Sequence, residues 1–138
     1  MEINLAARAE LIATARRASE QAYCPYSRFR VGAAVLTDRG EIFSGCNVEN
    51  ASYGLTICAE RNAIFQAVAR SKPTLVIQAV VVFTPTALPT APCGACRQVI
   101  NEFGPDAQIF SVCDGPGVIE HRLGALLPEA FGPGNLGP

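Results

Sequence analysis

Three cysteines and one glutamate, set in two short runs, are the residues of this chain best placed to do chemistry. Cys58-Ala59-Glu60-Arg61 offers a thiol and a carboxyl two residues apart, and Pro92-Cys93-Gly94-Ala95-Cys96-Arg97-Gln98 offers a Cys-x-x-Cys pair. Three thiolates fall one short of the closed tetrahedral shell of a structural zinc. A catalytic zinc keeps that fourth position for water. A carboxylate beside such a water can take its proton and pass it on. The spacing therefore predicts one zinc ion per chain, held by Cys58, Cys93 and Cys96, with Glu60 as a proton shuttle that does not bind the metal.

Three thiolates around one divalent ion leave a net negative charge, which weakens the metal as a Lewis acid. Arg61 lies at i+3 from Cys58 and Arg97 at i+4 from Cys93, separations that bring side chains together on one helix face. Both guanidinium groups are expected to donate to the sulfurs and draw off charge. Cys58 and Glu60, at i and i+2, diverge within a helix interior; they can share a pocket only from the first turn of a helix. A four-thiolate structural zinc, borrowing Cys24, Cys46 or Cys113, is the main competing reading of the metal, and His121 as fourth ligand is a further one. Six cysteines also permit three disulfides. Against those, Glu2 to Ala22 carries charge throughout and lacks the apolar run of a secretory leader, so a cytoplasmic chain with reduced thiols is expected.

The elements that must position these groups read as follows. Asn4 caps an amphipathic helix over Leu5 to Ala22, with apolar Leu5, Leu11, Ile12 and Ala15, and Pro25 stops it. Phe29 to Leu36 and Ile42 to Asn47 form a hairpin around Asp38-Arg39-Gly40-Glu41. A polar loop, Asn47 to Leu55, leads to a buried helix over Ile57 to Ala69, ended by Ser71-Lys72-Pro73. Val76 to Phe83 is a nearly continuous apolar run, as in a strand covered on both faces. After a proline-rich loop, Thr84 to Pro92, come a helix over Gly94 to Phe103 and a strand over Gln108 to Cys113. Asp114-Gly115-Pro116-Gly117 turns the chain into a last strand over Val118 to Arg122 and a short helical tail over Gly124 to Phe131. A hairpin followed by alternating helices and strands predicts an α/β fold of three layers, α/β/α, with a mixed sheet of about five strands between helices. In this order Cys58, Cys93 and Cys96 all lie at helix N-termini, where free N–H groups and the dipole favour thiolate.

The 138 residues fit one catalytic domain, 49% of them hydrophobic and 17% charged, with a net charge of −1. The apolar excess suits a subunit that buries faces in an oligomer. The charge balance lacks the basic surplus of a polynucleotide binder, and no apolar run is long enough to span a membrane. A small uncharged substrate is expected.

Cysteine-zinc sites with a non-ligand glutamate occur in nucleobase deaminases, and from about Leu5 to about Pro133 the chain resembles the small cytidine deaminases that act on free nucleosides. The resemblance implies hydrolytic loss of the cytosine amine, with Glu60 moving protons, from cytidine or 2′-deoxycytidine in pyrimidine salvage. It assigns the sugar 3′-OH to Asn47 and Glu49, which stand two apart on one side of an extended segment. It places Phe29 against the pyrimidine, gives Ala59 a substrate contact, and has Tyr53 close the sugar side. It gives Arg61 the task of tuning the zinc. The run Leu126-Leu127-Pro128-x-x-Phe131 matches a tail whose phenylalanine covers an active site across a subunit interface, in a homotetramer with shared sites. No phosphate cradle accompanies the sugar residues, which argues against a nucleotide substrate. The alternatives are a deaminase of cytosine-containing antibiotics or modified nucleosides, and a zinc-stabilised interaction module without catalysis.

Overall fold

Asn4 accepts the Ala7 N–H through its side chain at 2.7 Å and starts α1, Leu5–Ser19, in the computed structural model, which describes residues 2–71 and 74–137. The helix stops three residues before the expected Ala22. Glu20, Gln21 and Ala22 donate instead to Arg17, Ala18 and Ser19, a run of tight i to i+3 turns. Leu11 and Ala15 are fully buried and Ile12 partly so, whereas Leu5 is exposed.

The hairpin is β1, Gly32–Thr37, and β2, Ile42–Cys46. Gly40 takes φ +78° in its turn, a conformation that favours glycine. Phe29 to Val31, expected inside the first strand, lies ahead of it. The Asn47 side chain intervenes there, accepting from Val31 N–H at 2.9 Å and donating to the Phe29 carbonyl at 2.7 Å. Next comes α2, Ala59–Ser71, two residues later than expected, because Ile57 is extended and exchanges two backbone bonds with Val48. Lys72 and Pro73, expected to end this helix, lie outside the described residues. The remaining strands and α-helices of the described residues are β3, Ile77–Thr84; α3, Gly94–Phe103; β4, Gln108–Cys113; β5, Ile119–Arg122; and α4, Leu123–Leu126. The expected tail helix to Phe131 is thus only four residues long. Leu127 precedes Pro128, and a residue before proline is steered away from helical geometry.

The strands pair in the order β2-β1-β3-β4-β5, antiparallel except for parallel β3 and β4. Alternation along the strands divides the core. Ala34, Leu36, Ala79, Val81, Phe83, Phe110 and Val112 meet Leu11 and Ala15 of α1 on one face. Ala33, Val35, Val80, Val82 and Ile109 meet Ala59, Ala63, Ile64 and Ala67 of α2, Ile100 of α3 and Leu123 of α4 on the other. This is the expected α/β/α arrangement with a mixed five-stranded sheet. Gly32 lets α1 come down on β1: a Cβ there would run into the Ala15 carbonyl oxygen. No helix among the described residues is long and apolar enough to cross a membrane.

Candidate metal centre and substrate pocket

Two helix N-termini on the same face of the sheet bring the three cysteines together. Cys58 is the residue before α2, its carbonyl accepting the Asn62 N–H at 3.1 Å. Cys93 is the N-cap of α3, and Cys96 sits in the first turn, fully buried. The sulfurs of Cys58 and Cys93 are 3.9 Å apart, those of Cys93 and Cys96 3.6 Å, and all three lie within 4.8 Å of one another. Tetrahedral zinc with Zn–S bonds near 2.3 Å needs sulfurs about 3.8 Å apart. The trio fits zinc as it stands. Among the described residues no further histidine, cysteine or acid joins it. Cys24 and Cys113 are buried elsewhere, Cys46 is half-buried in β2, and His121 is exposed on β5.

Electrostatics divides the sulfurs unequally. The Cys58 thiol is drawn down to about 5: a hydrogen bond from the Cys96 thiol comes first and Arg61 adds a charged one, which together outweigh its burial. Cys96, the donor in that pair, is pushed strongly up, with burial acting in the same direction. Arg61 Nη2 stands 3.3 Å from Cys58 Sγ, as its i+3 spacing predicts, while its Nε is buried without a partner. Arg97 departs from expectation. It turns away from the sulfurs and donates Nε to the Pro92 carbonyl at 2.7 Å and Nη1 to the Leu126 carbonyl at 3.0 Å. The Pro92 carbonyl ends a loop and the Leu126 carbonyl ends α4, where a helix leaves its last carbonyls without intrahelical donors, and both take the guanidinium.

Glu60 occupies the first turn of α2, as its spacing from Cys58 requires, and is only 4% exposed. Burial lifts its carboxyl to about 7, and the charge on Cys58 adds to the effect; its own backbone N–H and Arg61 oppose it. Cys58, Ala59, Glu60 and Cys93 face a cavity of about 440 Å³. That volume lies within the range of small-molecule sites. Phe29, Asn47 and Glu49 line the same cavity, with Val82 and Thr84 from β3 at its floor. Phe29 is 40% exposed and is therefore a wall rather than a core residue.

Asn47 and Glu49 both engage the segment that precedes β1. Asn47 holds Phe29 and Val31 as described, and Glu49 Oε1 accepts the N–H groups of Tyr26 (3.0 Å) and Ser27 (3.1 Å). The Ser27 hydroxyl also donates to Glu49 Oε2. These bonds, the Ser27 hydroxyl first, hold the Glu49 carboxyl below its ordinary range. Tyr53 lies just outside, strongly exposed, its ring 5.8 Å from that of Tyr26. Phe131 does not reach this chain's cavity. Its carbonyl accepts from Gln98 at 2.7 Å and Asn101 at 3.3 Å on α3, and the residue is 58% exposed. Ser27, which lines the cavity, was not among the residues picked out by sequence. Its signal was a serine two residues before Phe29 in a proline-led turn, where hydroxyl-to-backbone bonding is common.

The model of the cytidine and deoxycytidylate deaminase zinc-binding region matches residues 6–112, a span that contains all three cysteines and Glu60. The chain is 48% identical over 123 residues to a cytidine deaminase of Sporosarcina psychrophila, covering 88% of this chain and 89% of that one. It is 47% identical over 118 residues to a cytidine deaminase of Mycobacterium tuberculosis, covering 86% and 84%. Among solved structures, cytidine deaminase from Burkholderia pseudomallei superposes with a TM-score of 0.83 at 49% identity, over 89% of this chain and 98% of that one. The Mycobacterium tuberculosis structure gives 0.76 at 38% identity, over 95% and 99%.

Proposed function

The chain belongs to the cytidine and deoxycytidylate deaminase family, and on that premise we propose that it hydrolyses the 4-amino group of cytidine and 2′-deoxycytidine. Water is consumed, the C4–N4 bond breaks, and uridine or 2′-deoxyuridine and ammonia are the products. The observation that carries this reading is the meeting, in one cavity, of three sulfurs at zinc spacing and a buried carboxyl outside the trio.

Cys58, Cys93 and Cys96 hold the ion. Zinc bound there supplies Lewis acidity, which makes water acidic enough to yield a nucleophile near neutral pH. Glu60 does the proton work. A carboxyl raised to about 7 can accept a proton from the nucleophilic water and return protons to N3 and to the departing amine. Arg61, on the Cys58 sulfur, offsets the surplus negative charge of the thiolates. Phe29 packs on the pyrimidine. Ala59, fully buried at the start of α2, offers an N–H that has no partner inside its helix. Glu49 and the remaining lone pair of Asn47 Oδ1 take the sugar hydroxyls.

All 138 residues act as one catalytic domain of a cytoplasmic homotetramer in pyrimidine salvage. Exposed Tyr53, Leu55 and Phe131 support the shared-site assembly, since large apolar groups left bare in one chain are natural interface material. In it Tyr53 closes the sugar side and Phe131 covers a neighbour's pocket. A non-catalytic zinc module is disfavoured because the trio stops at three ligands and leaves the cavity open beside Glu60. The test is an absorbance assay of cytidine loss with zinc measured on the same sample. One zinc per chain, with turnover abolished by a chelator and restored by zinc, is expected; full zinc occupancy without turnover would sink the reading.

A further inference from the structure

The turn before β1 joins the two ends of the cavity through one hydroxyl. Ser27 Oγ has a single proton to give, and gives it to Glu49 Oε2. Its oxygen is therefore left to accept, and it accepts the Phe29 N–H at 3.0 Å. Between the two residues Arg28 takes φ +58°, an uncommon conformation for a residue with a side chain. Such a conformation persists when surrounding bonds over-determine it. Here they do: Arg28 N–H donates to the Cys24 carbonyl at 2.9 Å, and the Ser27–Phe29 bond closes around it.

We propose that Ser27 is a positioning residue, which sets the base wall Phe29 and the sugar-side carboxylate Glu49 as one unit. The inference rests on the deaminase reading above, in which those two groups meet the two halves of the nucleoside. Without the hydroxyl, Phe29 N–H loses its acceptor and Glu49 Oε2 loses its donor. Glu49 Oε1 keeps the Tyr26 and Ser27 N–H groups and the Phe29 carbonyl keeps Asn47, but the bridge that fixes the wall and the carboxylate relative to each other is gone, and binding weakens. Groups at the metal and Glu60, on a different element, keep their places. The loss therefore falls on KM.

The experiment uses zinc-loaded full-length protein. Ser27→Ala should raise KM for cytidine on the order of 10- to 100-fold, the range for hydrogen bonds to a charged group, with a much smaller fall in kcat. Calorimetric affinity for uridine, which needs no turnover, should fall by a similar factor. Ser27→Thr, which keeps the hydroxyl on an exposed position, should recover most of both. In a Glu49→Gln background, which removes the carboxylate that accepts the hydroxyl proton, Ser27→Ala should add less than about threefold. A KM within twofold of wild type, a full additive penalty beside Glu49→Gln, or equal falls in kcat and kcat/KM would each overturn the proposal. An inactive wild-type protein with full zinc would overturn the deaminase reading instead, so the two failures are distinct.

Discussion

Arg97 and Arg61 occupy similar positions in sequence relative to a zinc-ligand cysteine, and the structure gives them different work. Arg97→Ala removes two bonds from a charged donor, one to Pro92 at 2.7 Å and one to Leu126 at 3.0 Å. The first steadies the residue directly before Cys93; the second ties α3 to the end of α4. At roughly 1.5 kcal/mol each the two bonds contribute about 3 kcal/mol, and their partial exposure brings this to about 2 kcal/mol. For a chain of this length each kcal/mol moves the melting temperature by roughly 4 °C, so the variant should melt on the order of 8 °C below wild type. Arg97→Lys keeps one charged donor and should recover about half of that. The assay is thermal unfolding at fixed chain and zinc concentration, since both oligomer and metal shift the midpoint by mass action. Turnover per bound zinc should change far less than the melting temperature. A midpoint within about 1 °C of wild type, together with a tenfold loss of turnover per zinc, would show that Arg97 acts on the sulfurs and that the brace is irrelevant.

Three further outcomes follow from the site. Glu60→Gln should keep zinc and fold, yet lose about 10²- to 10⁴-fold in kcat, the range for general acid–base catalysis; metal analysis beside steady-state kinetics checks it, and loss of zinc without a separate catalytic defect would contradict it. Arg61→Gln should lower kcat at full zinc occupancy, because the 3.3 Å bond to Cys58 Sγ is gone, and replacing Cys58 by histidine should ease the defect by removing a negative ligand; wild-type turnover in Arg61→Gln would remove the account. A chain truncated after Pro128 should show a raised KM for cytidine, and mixing it with full-length Glu60→Gln should recover low-KM turnover that neither parent has, if Phe131 closes a neighbour's pocket. Mixtures that exchange subunits without recovery would confine Phe131 to its own chain.

The order of elements was legible because it follows from local pattern. The apolar run over residues 76–83 marked the central strand, and β3 is indeed flanked by β1 and β4. Element ends were less legible, for reasons that differ from case to case. Nothing local in α1 distinguishes an α-helical turn from the i to i+3 turns at Glu20 to Ala22. The start of β1 depends on Asn47, 16 residues from Val31 and 18 from Phe29, whose amide takes bonds that a strand partner would otherwise make. The short α4 is the one error that sequence rules could have prevented, since Pro128 restricts Leu127.

At the site, spacing determined which groups are able to meet, and distant backbone determined which of them do. Arg61 lies three residues from a sulfur, and it reaches that sulfur. Arg97 stands four residues from one too, but the Leu126 carbonyl, 29 residues away, is brought alongside by the fold. The same distinction governs the sugar-side pair. Read as a sequence, Asn47 and Glu49 point together towards a ligand. In the folded chain both already grip the segment of residues 26–31, Glu49 through Tyr26 and Ser27, Asn47 through Phe29 and Val31. A pocket wall fixed in this way before the substrate arrives spares binding the entropy of ordering it. The pair would then serve the nucleoside twice, by holding the wall that meets its base and by offering the oxygen atoms that meet its sugar.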